Sequence, residues 1–360
     1  MIDLFWPYVP KEAREMVDEV LHSRFIGQGP KVDLFEREFE KRFKLVEKSA
    51  VSVNSGTAAL ETAYDLIGLK AGDEVISTPL TCTATNIPLI RRGVKIVWAD
   101  ILPSTLCIDP VDVHAKITPK TKAIVQVHLG GIMADVGFQH VPVVSDAAQA
   151  LGIFNGDFTC NSFQSIKHIT TGDGGMLVIH QRNGNNERDR NNAKLLRWFG
   201  IDREKKIRNN WQAFRERAMT FDIQIPGHKR HMTDIAAAMG IAGLLHYDHV
   251  IDTRARQFQI YKERLSGFAG ITVVDGSKNT HWLATILVEN RDEFAKAMFE
   301  ADIDTNLVQL RNDIFKLFGG KRADLPVMNE LEEKYISIPI GPHLTDENIH
   351  YVCDRIQEGW

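Results

Sequence analysis

Lys167 lies in a stretch whose residue types suit carbonyl chemistry. A small polar and aromatic stretch begins at Ser162 and leads to this lysine, and a glycine-rich turn follows at residues 172–175. The apolar run 176–179 comes next and is typical of a buried strand. A lysine enclosed between such a strand and a turn loses hydration, which favours the neutral amine. Since only the neutral amine attacks a carbonyl, the pattern predicts a Schiff-base lysine, the alternative being an ordinary surface lysine.

Asp146 is a second candidate for chemistry, because it directly follows the apolar run 141–145. A carboxylate at the end of a strand commonly caps the next helix. It can also pair with a protonated ring nitrogen, and this position would suit that role. Both interpretations stay open from the residues alone.

Ser55, Gly56 and Thr57 form a small-residue turn between the apolar run 50–53 and a helical pattern that begins at residue 58. A strand that passes through such a turn into a helix presents backbone N–H groups to an anion. The same pattern also occurs as an ordinary helix start capped by serine. The turn alone is therefore a weak indication of phosphate binding.

Apolar strands alternate with helical patterns along the first half of the chain, which indicates a parallel sheet covered by helices on both faces. The predicted strands are residues 50–53, 74–77, 95–98, 123–128 and 141–145. Ligands of such a sheet bind at the carboxyl ends of its strands. We predict a large α/β domain at residues 1–250 and a smaller α+β domain at residues 251–360.

The composition is that of an ordinary soluble enzyme. The chain has 360 residues, of which 44% are hydrophobic and 25% charged, and its net charge is -4. Because no long block carries one sign of charge, we expect neither nucleic-acid nor anionic-membrane binding. We also expect no signal peptide and no membrane span. Four cysteines without metal-type spacing fit reduced thiols in the cytoplasm: Cys82, Cys107, Cys160 and Cys353.

Five motifs in order resemble the DegT/DnrJ/EryC1/StrS family of sugar aminotransferases. They occupy residues 55–60, 72–76, 127–131, 146–150 and 162–175. The resemblance implies fold type I, an α/β fold whose mostly parallel seven-stranded sheet is flanked by helices, with pyridoxal 5'-phosphate (PLP) as the cofactor. It also implies amino transfer from glutamate to a keto group of a nucleotide-linked sugar, as in lipopolysaccharide or O-antigen biosynthesis.

The resemblance gives catalytic roles to Lys167 and Asp146. Lys167 matches the Schiff-base lysine, which would later move a proton between the substrate carbon and the cofactor. Asp146 matches the acid that faces the pyridine nitrogen and keeps it protonated, so that the ring becomes an electron sink. Gln149 matches the residue beside the cofactor hydroxyl.

The resemblance further implies a cofactor phosphate cradle and a ring-stacking position. The cradle comprises the turn that begins at Ser55, with the backbone N–H groups of Gly56 and Thr57, and the hydroxyl of Ser162. Cys82 stands where the family often has an aromatic residue that stacks on the cofactor ring. A sulfur atom can also pack on the face of a ring.

Members of this family resemble obligate homodimers in which one polar residue of the neighbour, commonly an asparagine, reaches the cofactor phosphate. Lys229 falls at the position of that asparagine. A lysine would bind the phosphate dianion as a point charge. The alternative is a basic loop that is only exposed to solvent.

Three stretches leave questions open. Residues 131–141 are shorter than is usual in the family, which predicts a trimmed helix. Residues 308–313 replace a histidine and proline loop that often approaches the sugar, so the sequence does not identify the sugar. The basic and aromatic stretch 203–217 would either line an anionic substrate site or form a solvated loop.

Two other functions compete with amino transfer. Relatives that act as PLP-dependent sugar dehydratases replace the lysine with histidine, whereas here His168 is only the neighbour of Lys167. Other relatives resemble non-catalytic sugar-binding or regulatory proteins, which retention of Lys167 and Asp146 disfavours. Metal chemistry is not expected, because no acidic or cysteine partner accompanies the histidine pairs 228/231 and 246/249.

Overall fold

The computed structural model of the chain describes residues 1–137, 139–180, 186–203, 223 and 225–360. A seven-stranded sheet is built from β1 (Ala50–Val53), β2 (Glu74–Ser77), β3 (Lys95–Trp98), β4 (Thr121–Val127), β5 (Val143–Asp146), β6 (Phe158–Ser162) and β7 (Gly175–Ile179). Its strands lie in the order β1-β7-β6-β5-β4-β2-β3. Strands β3, β2, β4, β5 and β6 run parallel to one another, which confirms the predicted α/β class.

Helices flank this sheet and continue into the C-terminal part of the chain. Those of the described residues are α1 (Lys11–Leu21), α2 (Pro30–Arg42), α3 (Gly56–Ile67), α4 (Thr83–Arg91), α5 (Pro110–Lys116), α6 (Asn186–Arg197), α7 (Asp234–Leu245), α8 (Tyr247–Leu265), α9 (Arg291–Glu300), α10 (Pro326–Leu331) and α11 (Asp346–Gln357). None of them combines the length and the apolar character that crossing a membrane requires.

Different apolar clusters cover the two faces of the sheet, because side chains alternate between faces along each strand. On one face, Val51 and Leu177 pack in a buried cluster with α3. On the other, Met176 and Val178 pack in a cluster with Phe35 of α2 and with α7. Strands β1 and β7 are therefore buried on both sides, as their near-continuous apolar runs predict.

Strand β7 is antiparallel to both of its neighbours, β1 and β6. Its first residue, Gly175, therefore pairs with the last residues of those strands, Val53 and Ser162. This arrangement brings the end of β1, the end of β6 and the start of α3 to one point on the edge of the sheet where the parallel strands end.

A buried ion pair fixes α2 and α6 against β1. The Arg197 Nη1 atom lies 2.6 Å from Glu36 Oε1, and that oxygen also accepts hydrogen bonds from the Ser52 amide at 2.9 Å and hydroxyl at 2.8 Å. Burial by itself would raise the pKa of Glu36, but Arg197 and Ser52 favour the carboxylate and lower it overall. Breaking such a buried pair by removing one partner is strongly destabilising.

A second sheet is built from β8 (Ile271–Val273), β9 (Ala284–Val288) and β10 (Tyr335–Ile338), in the order β10-β9-β8 and antiparallel throughout. Helices α8, α9 and α11 share one apolar core with it. The predicted domain boundary at residue 250 falls inside α8, and the division into residues 1–250 and 251–360 stays a prediction.

Candidate functional site

A cavity of about 490 Å³ lies where the parallel strands β5 and β6 end. Most of the predicted site residues line it: Ser55, Gly56, Thr57, Cys82, Asp146, Gln149, Ser162 and Lys167. The N-terminal segment and the C-terminal part of the chain supply the rest of its wall, through Leu4, Phe5, Trp282, Asp304, Asn306, Val308 and Gln309 among others. Thus segments distant in the sequence meet around one lysine.

Lys167 lies in the loop between β6 and β7. Burial lowers the pKa of its amine to about 8, although the nearby Asp146 and Cys82 partly offset this effect. Its Nζ atom lies 3.7 Å from the centroid of the Trp282 ring, a distance at which the ring face attracts an ammonium group. A substantial fraction of this amine is therefore neutral in mildly alkaline solution.

The backbone on either side of Lys167 is tied to one distant segment, residues 280–282. The indole Nε1 of Trp282, which is fully buried, donates to the Ile166 carbonyl at 2.9 Å. On the other side, Nε2 of His168 donates to the Thr280 carbonyl at 2.9 Å. Burial lowers the pKa of His168 to about 3, so it stays neutral and serves to hold the loop.

Asp146 is the last residue of β5 and is buried. Its Oδ2 atom accepts a hydrogen bond from the Thr85 hydroxyl at 2.7 Å, and Oδ1 accepts one from the Ala148 amide at 3.0 Å. Burial raises the pKa of Asp146, while these two hydrogen bonds and Lys167 act in the opposite direction. No helix begins after Asp146, because turns fill the chain between β5 and β6, so the helix-cap interpretation is wrong. The contact with the Ala148 amide stabilises a turn, and the carboxylate lines the cavity.

The turn at the start of α3 forms a cradle of backbone amides with Ser162. The Ser55 hydroxyl accepts from the Ala58 amide at 3.0 Å, so Ser55 is the N-cap of α3. The first amides of a helix have no partner within it, which leaves Gly56 and Thr57 to present N–H groups to an anion. A Cβ atom on Gly56 would lie 2.8 Å from that of Ser162, so only glycine permits this close approach.

Gln149 and Cys82 complete the predicted set. The Oε1 atom of buried Gln149 accepts from the Gly130 amide at 2.7 Å, which fixes the side chain and directs its amide nitrogen elsewhere. Cys82 precedes α4, and its exposed thiol lines the cavity without capping that helix.

Several residues that surround this cavity or hold its side chains carry no recognisable motif in the sequence. Thr85 stands one turn after Thr81 on the loop and helix that follow β2, and their hydroxyls are 2.8 Å apart. This four-residue spacing is the one feature of the sequence that could have indicated that the two threonines lie on the same side of the segment. Phe5 stacks on Trp282 with ring centroids 5.4 Å apart and an interplanar angle of 26°, and nothing in the local sequence of either residue indicates that pairing.

Asn312, in the loop that departs from the family pattern, anchors that loop to the wall of the cavity. Its side-chain nitrogen donates to the Thr81 carbonyl at 2.7 Å, and its oxygen accepts from Asn86 at 2.9 Å. Its backbone amide donates to the Pro79 carbonyl at 2.6 Å. The neighbouring Arg311 is buried and pairs with Asp313 Oδ2 at 2.6 Å. The loop therefore holds the segment that carries Cys82.

Lys229 is exposed and does not line the cavity of its own chain. Its backbone pairs with Trp198 in an isolated antiparallel bridge. Contact with a neighbouring subunit's cofactor stays a prediction. Of the basic stretch 203–217, only Arg203 belongs to the described residues, so both interpretations of that stretch lie outside them.

One histidine expectation is wrong. His246 Nε2 lies 2.9 Å from Glu12 Oε2, so it does have an acidic partner, supplied by α1 from far away in the sequence. Within the described ranges, no group of three histidine, cysteine, aspartate or glutamate side chains has the geometry to hold a metal ion. The described residues 132–137 and 139–142 also form no helix.

Comparison with known proteins gives consistent relatives. The model of the DegT/DnrJ/EryC1/StrS aminotransferase family matches residues 7–357. The spore coat polysaccharide biosynthesis protein SpsC of Bacillus subtilis (strain 168) is 32% identical, over 98% of this chain and 95% of that protein. GDP-perosamine synthase of Escherichia coli O157:H7 is 29% identical, over 99% and 98%. The sugar aminotransferase CalS13 of Micromonospora echinospora superposes with a TM-score of 0.89 at 29% identity, covering 100% of both chains.

The chain belongs to the DegT/DnrJ/EryC1/StrS aminotransferase family, and it is a PLP-dependent aminotransferase. The residues of the cavity fit this cofactor. The lysine of lowered pKa suits an aldehyde, and the buried carboxylate suits a pyridine nitrogen. The cradle, where Gly56 approaches Ser162 too closely for a Cβ atom, suits a phosphate.

Proposed function

We propose that this member of the DegT/DnrJ/EryC1/StrS aminotransferase family transfers the amino group of glutamate to a keto group on a nucleotide-linked sugar. The observation that supports it most is the convergence of Lys167, Asp146 and the cradle at Gly56 on one cavity. We place the reaction in the cytoplasm and in the synthesis of a surface polysaccharide such as lipopolysaccharide O-antigen. The name of SpsC refers to the biosynthesis of a spore coat polysaccharide, and the name of GDP-perosamine synthase refers to a nucleotide-linked sugar.

Bound PLP supplies the electron sink that makes a proton on the adjacent substrate carbon removable. Lys167 would hold the cofactor's aldehyde carbon through Nζ before substrate arrives. The freed amine would then take the proton from the α-carbon of glutamate, and in the second half of the reaction deliver one to the sugar carbon that is aminated. A pKa of about 8 suits an amine that must both accept and release a proton near neutral pH.

The other residues of the cavity would bind and orient. Asp146 would hold the proton on the pyridine nitrogen, and Thr85 and Ala148 keep its carboxylate in place. The cradle of Gly56, Thr57 and Ser162 would bind the phosphate. Gln149 would donate a hydrogen bond from its amide nitrogen to the ring hydroxyl oxygen, while Cys82 would pack on the ring face.

We propose a homodimer with composite sites, in which Lys229 of each chain reaches the cofactor phosphate of the other. The charges that line the cavity support this proposal. The described residues there include three aspartates and one lysine, Lys167, which is reserved for the aldehyde. A phosphate dianion would gain a counter-charge from a neighbour's lysine.

The test is a panel of dTDP-, GDP- and UDP-linked keto-sugars, each incubated with PLP-loaded enzyme and ¹⁵N-glutamate and analysed by mass spectrometry. We expect one sugar to gain labelled nitrogen, and the Lys167→Ala variant to give none while still binding PLP. Loss of water without nitrogen gain would favour a dehydratase. Failure of the wild-type enzyme to hold PLP would favour a non-catalytic sugar-binding protein.

A further inference from the structure

One side of the cavity, formed by the N-terminal segment and by residues near Asp304, contains none of the residues that we assign to the cofactor. We call it the acceptor wall, and it comprises Leu4, Phe5, Asp304, Asn306 and Gln309, all of which line the cavity. It is held together by backbone pairing between the N-terminal segment and the strand-like residues that lead to Asp304.

This pairing fixes the position of Asp304. The Ile2 amide donates to the Asp302 carbonyl at 2.6 Å, and the Asp304 amide donates to the Ile2 carbonyl at 3.0 Å. The Leu4 amide then approaches Asp304 Oδ2 at 3.4 Å. The carboxylate is thus held at the cavity by two segments at once.

Asp304 keeps an unused capacity to accept hydrogen bonds. It is half-buried, and among the described residues its carboxylate forms no ion pair with a lysine, arginine or histidine. A carboxylate has two oxygens with about four acceptor sites, of which the Leu4 amide uses one at long distance. A ligand with hydroxyl donors would therefore find a carboxylate with free acceptor capacity on this wall.

The rest of the acceptor wall suits a sugar ring. Phe5 is fixed by stacking on the buried Trp282 and presents an apolar surface, on which the C–H face of a sugar can pack. Asn306 and Gln309 each offer a carboxamide that both donates and accepts. None of the five residues of this wall carries a positive charge, so the wall offers nothing to pair with an acidic group on the sugar.

We propose that Asp304 determines specificity by accepting a hydrogen bond from a sugar hydroxyl and by repelling sugars whose ring carries a carboxylate. This inference rests on the proposed function, since it assigns the residue that selects the keto-sugar. Glutamate has no sugar hydroxyl, so the hydrogen bond that we assign to Asp304 belongs to the half-reaction that aminates the sugar.

The first test separates the two half-reactions by following the absorbance of bound cofactor. Asp304→Asn keeps the shape and the contact with the Leu4 amide but removes the charge. In Asp304→Asn, the dissociation constant of the keto-sugar that the panel identifies, measured with the amine form of the enzyme, should be about tenfold higher than in the wild-type enzyme. This is the effect of losing one charge-assisted hydrogen bond. The rate at which glutamate converts the bound cofactor to its amine form should stay within twofold of the wild-type rate.

Asp302→Asn is the matched control, because Asp302 lies on the same segment, is exposed and does not line the cavity. It makes the same change in net charge and should leave both half-reactions unchanged. An unchanged sugar dissociation constant in Asp304→Asn, or an equal loss in both half-reactions, would overturn the proposal. Failure of the proposed function itself is distinct, since no keto-sugar of the panel would then be aminated by the wild-type enzyme.

The second test measures charge selectivity by competition. A glucose and a glucuronate, each carried on the nucleotide that supports turnover, should compete unequally with the keto-sugar. We expect the wild-type enzyme to bind the neutral sugar at least tenfold more tightly, and Asp304→Asn to narrow that difference. Equal competition in the wild-type enzyme, or a difference that Asp304→Asn leaves unchanged, would contradict a role in repelling acid sugars.

Discussion

At the scale of single residues, the environment of Lys167 combines two opposing influences on its amine. Burial removes water and lowers the pKa to about 8, whereas the face of Trp282, 3.7 Å from Nζ, attracts the ammonium form. The result is an amine that is held in one place and is still readily deprotonated. Both properties follow from contacts with residues that are remote in the sequence.

This environment predicts the pH dependence of cofactor capture. Because only the neutral amine reacts, the rate at which cofactor-free enzyme captures PLP should rise about tenfold per pH unit and level off above the pKa of about 8. Stopped-flow absorbance measures this rate through the absorbance change that accompanies capture. The Lys167→Ala variant is the control and should show no such change. A rise that continues to pH 10 would mean that the lysine has its ordinary pKa.

Asp146 gives a second prediction at this scale. Asp146→Asn should bind PLP but lower turnover roughly a hundredfold, because a neutral amide does not hold the ring proton and a charge-assisted contact of about 3 kcal/mol is lost. Thr85→Val is the control, since it removes one hydrogen bond to Asp146 and keeps the carboxylate. Turnover measured at saturating substrate should fall far less in the control, and equal losses would contradict the assignment.

At the scale of elements, the loop at Arg311–Asp313 is a structural link between the C-terminal part of the chain and the segment that follows β2. Asn312 contacts Thr81, Asn86 and Pro79 in this link. The Thr81 hydroxyl continues the connection through Thr85 to Asp146. A change in the loop is therefore expected to reach the cofactor without touching it.

Asn312→Ala should reduce stability by about 1–3 kcal/mol, because buried partners lose their hydrogen bonds, and should also weaken PLP binding. Urea unfolding and fluorescence titration with PLP measure the two effects. The control is Asn348→Ala, which removes part of the capping box of α11 and should cost about 1 kcal/mol without changing PLP affinity. PLP affinity equal in both variants would limit Asn312 to a stabilising role.

At the scale of the whole molecule, the proposed homodimer makes each active site depend on both chains. Lys229 is exposed on its own chain and does not line its own cavity, so the contribution that we propose for it would be made across an interface. The pairing of its backbone with Trp198 next to α6 gives it a defined position from which to reach a neighbour.

Complementation between two impaired variants tests this dependence. Lys229→Ala should bind PLP more weakly, and Lys167→Ala should be inactive. Mixed dimers of the two should regain activity above either parent, because one of their two sites combines an intact Lys167 with an intact Lys229 from the other chain. Mixed dimers that form, as shown by native mass spectrometry of tagged chains, but stay inactive would exclude action across the interface.

The sequence by itself determined the α/β class and most of the candidate site. Asp146 and the turn at Gly56 each lie where a buried strand ends, and Lys167 lies before a turn and a buried strand. Such local patterns depend on neighbouring residues alone. Because the carboxyl ends of parallel strands meet at one edge, the strand ends before Gly56 and after Val144 were expected at the same edge. Lys167 was assigned to the same site only by the resemblance to the family.

The tertiary structure decided which distant residues surround that site. Trp282 reaches Lys167, Phe5 reaches Trp282, Asp304 reaches the cavity, and Glu12 reaches His246, although no local pattern connects either member of these pairs to the other. The antiparallel course of β7, which brings Gly175 beside Ser162, likewise depends on how whole strands pack. Local sequence encodes backbone preference and burial, whereas contacts between remote segments are set only when all elements pack into one dense interior.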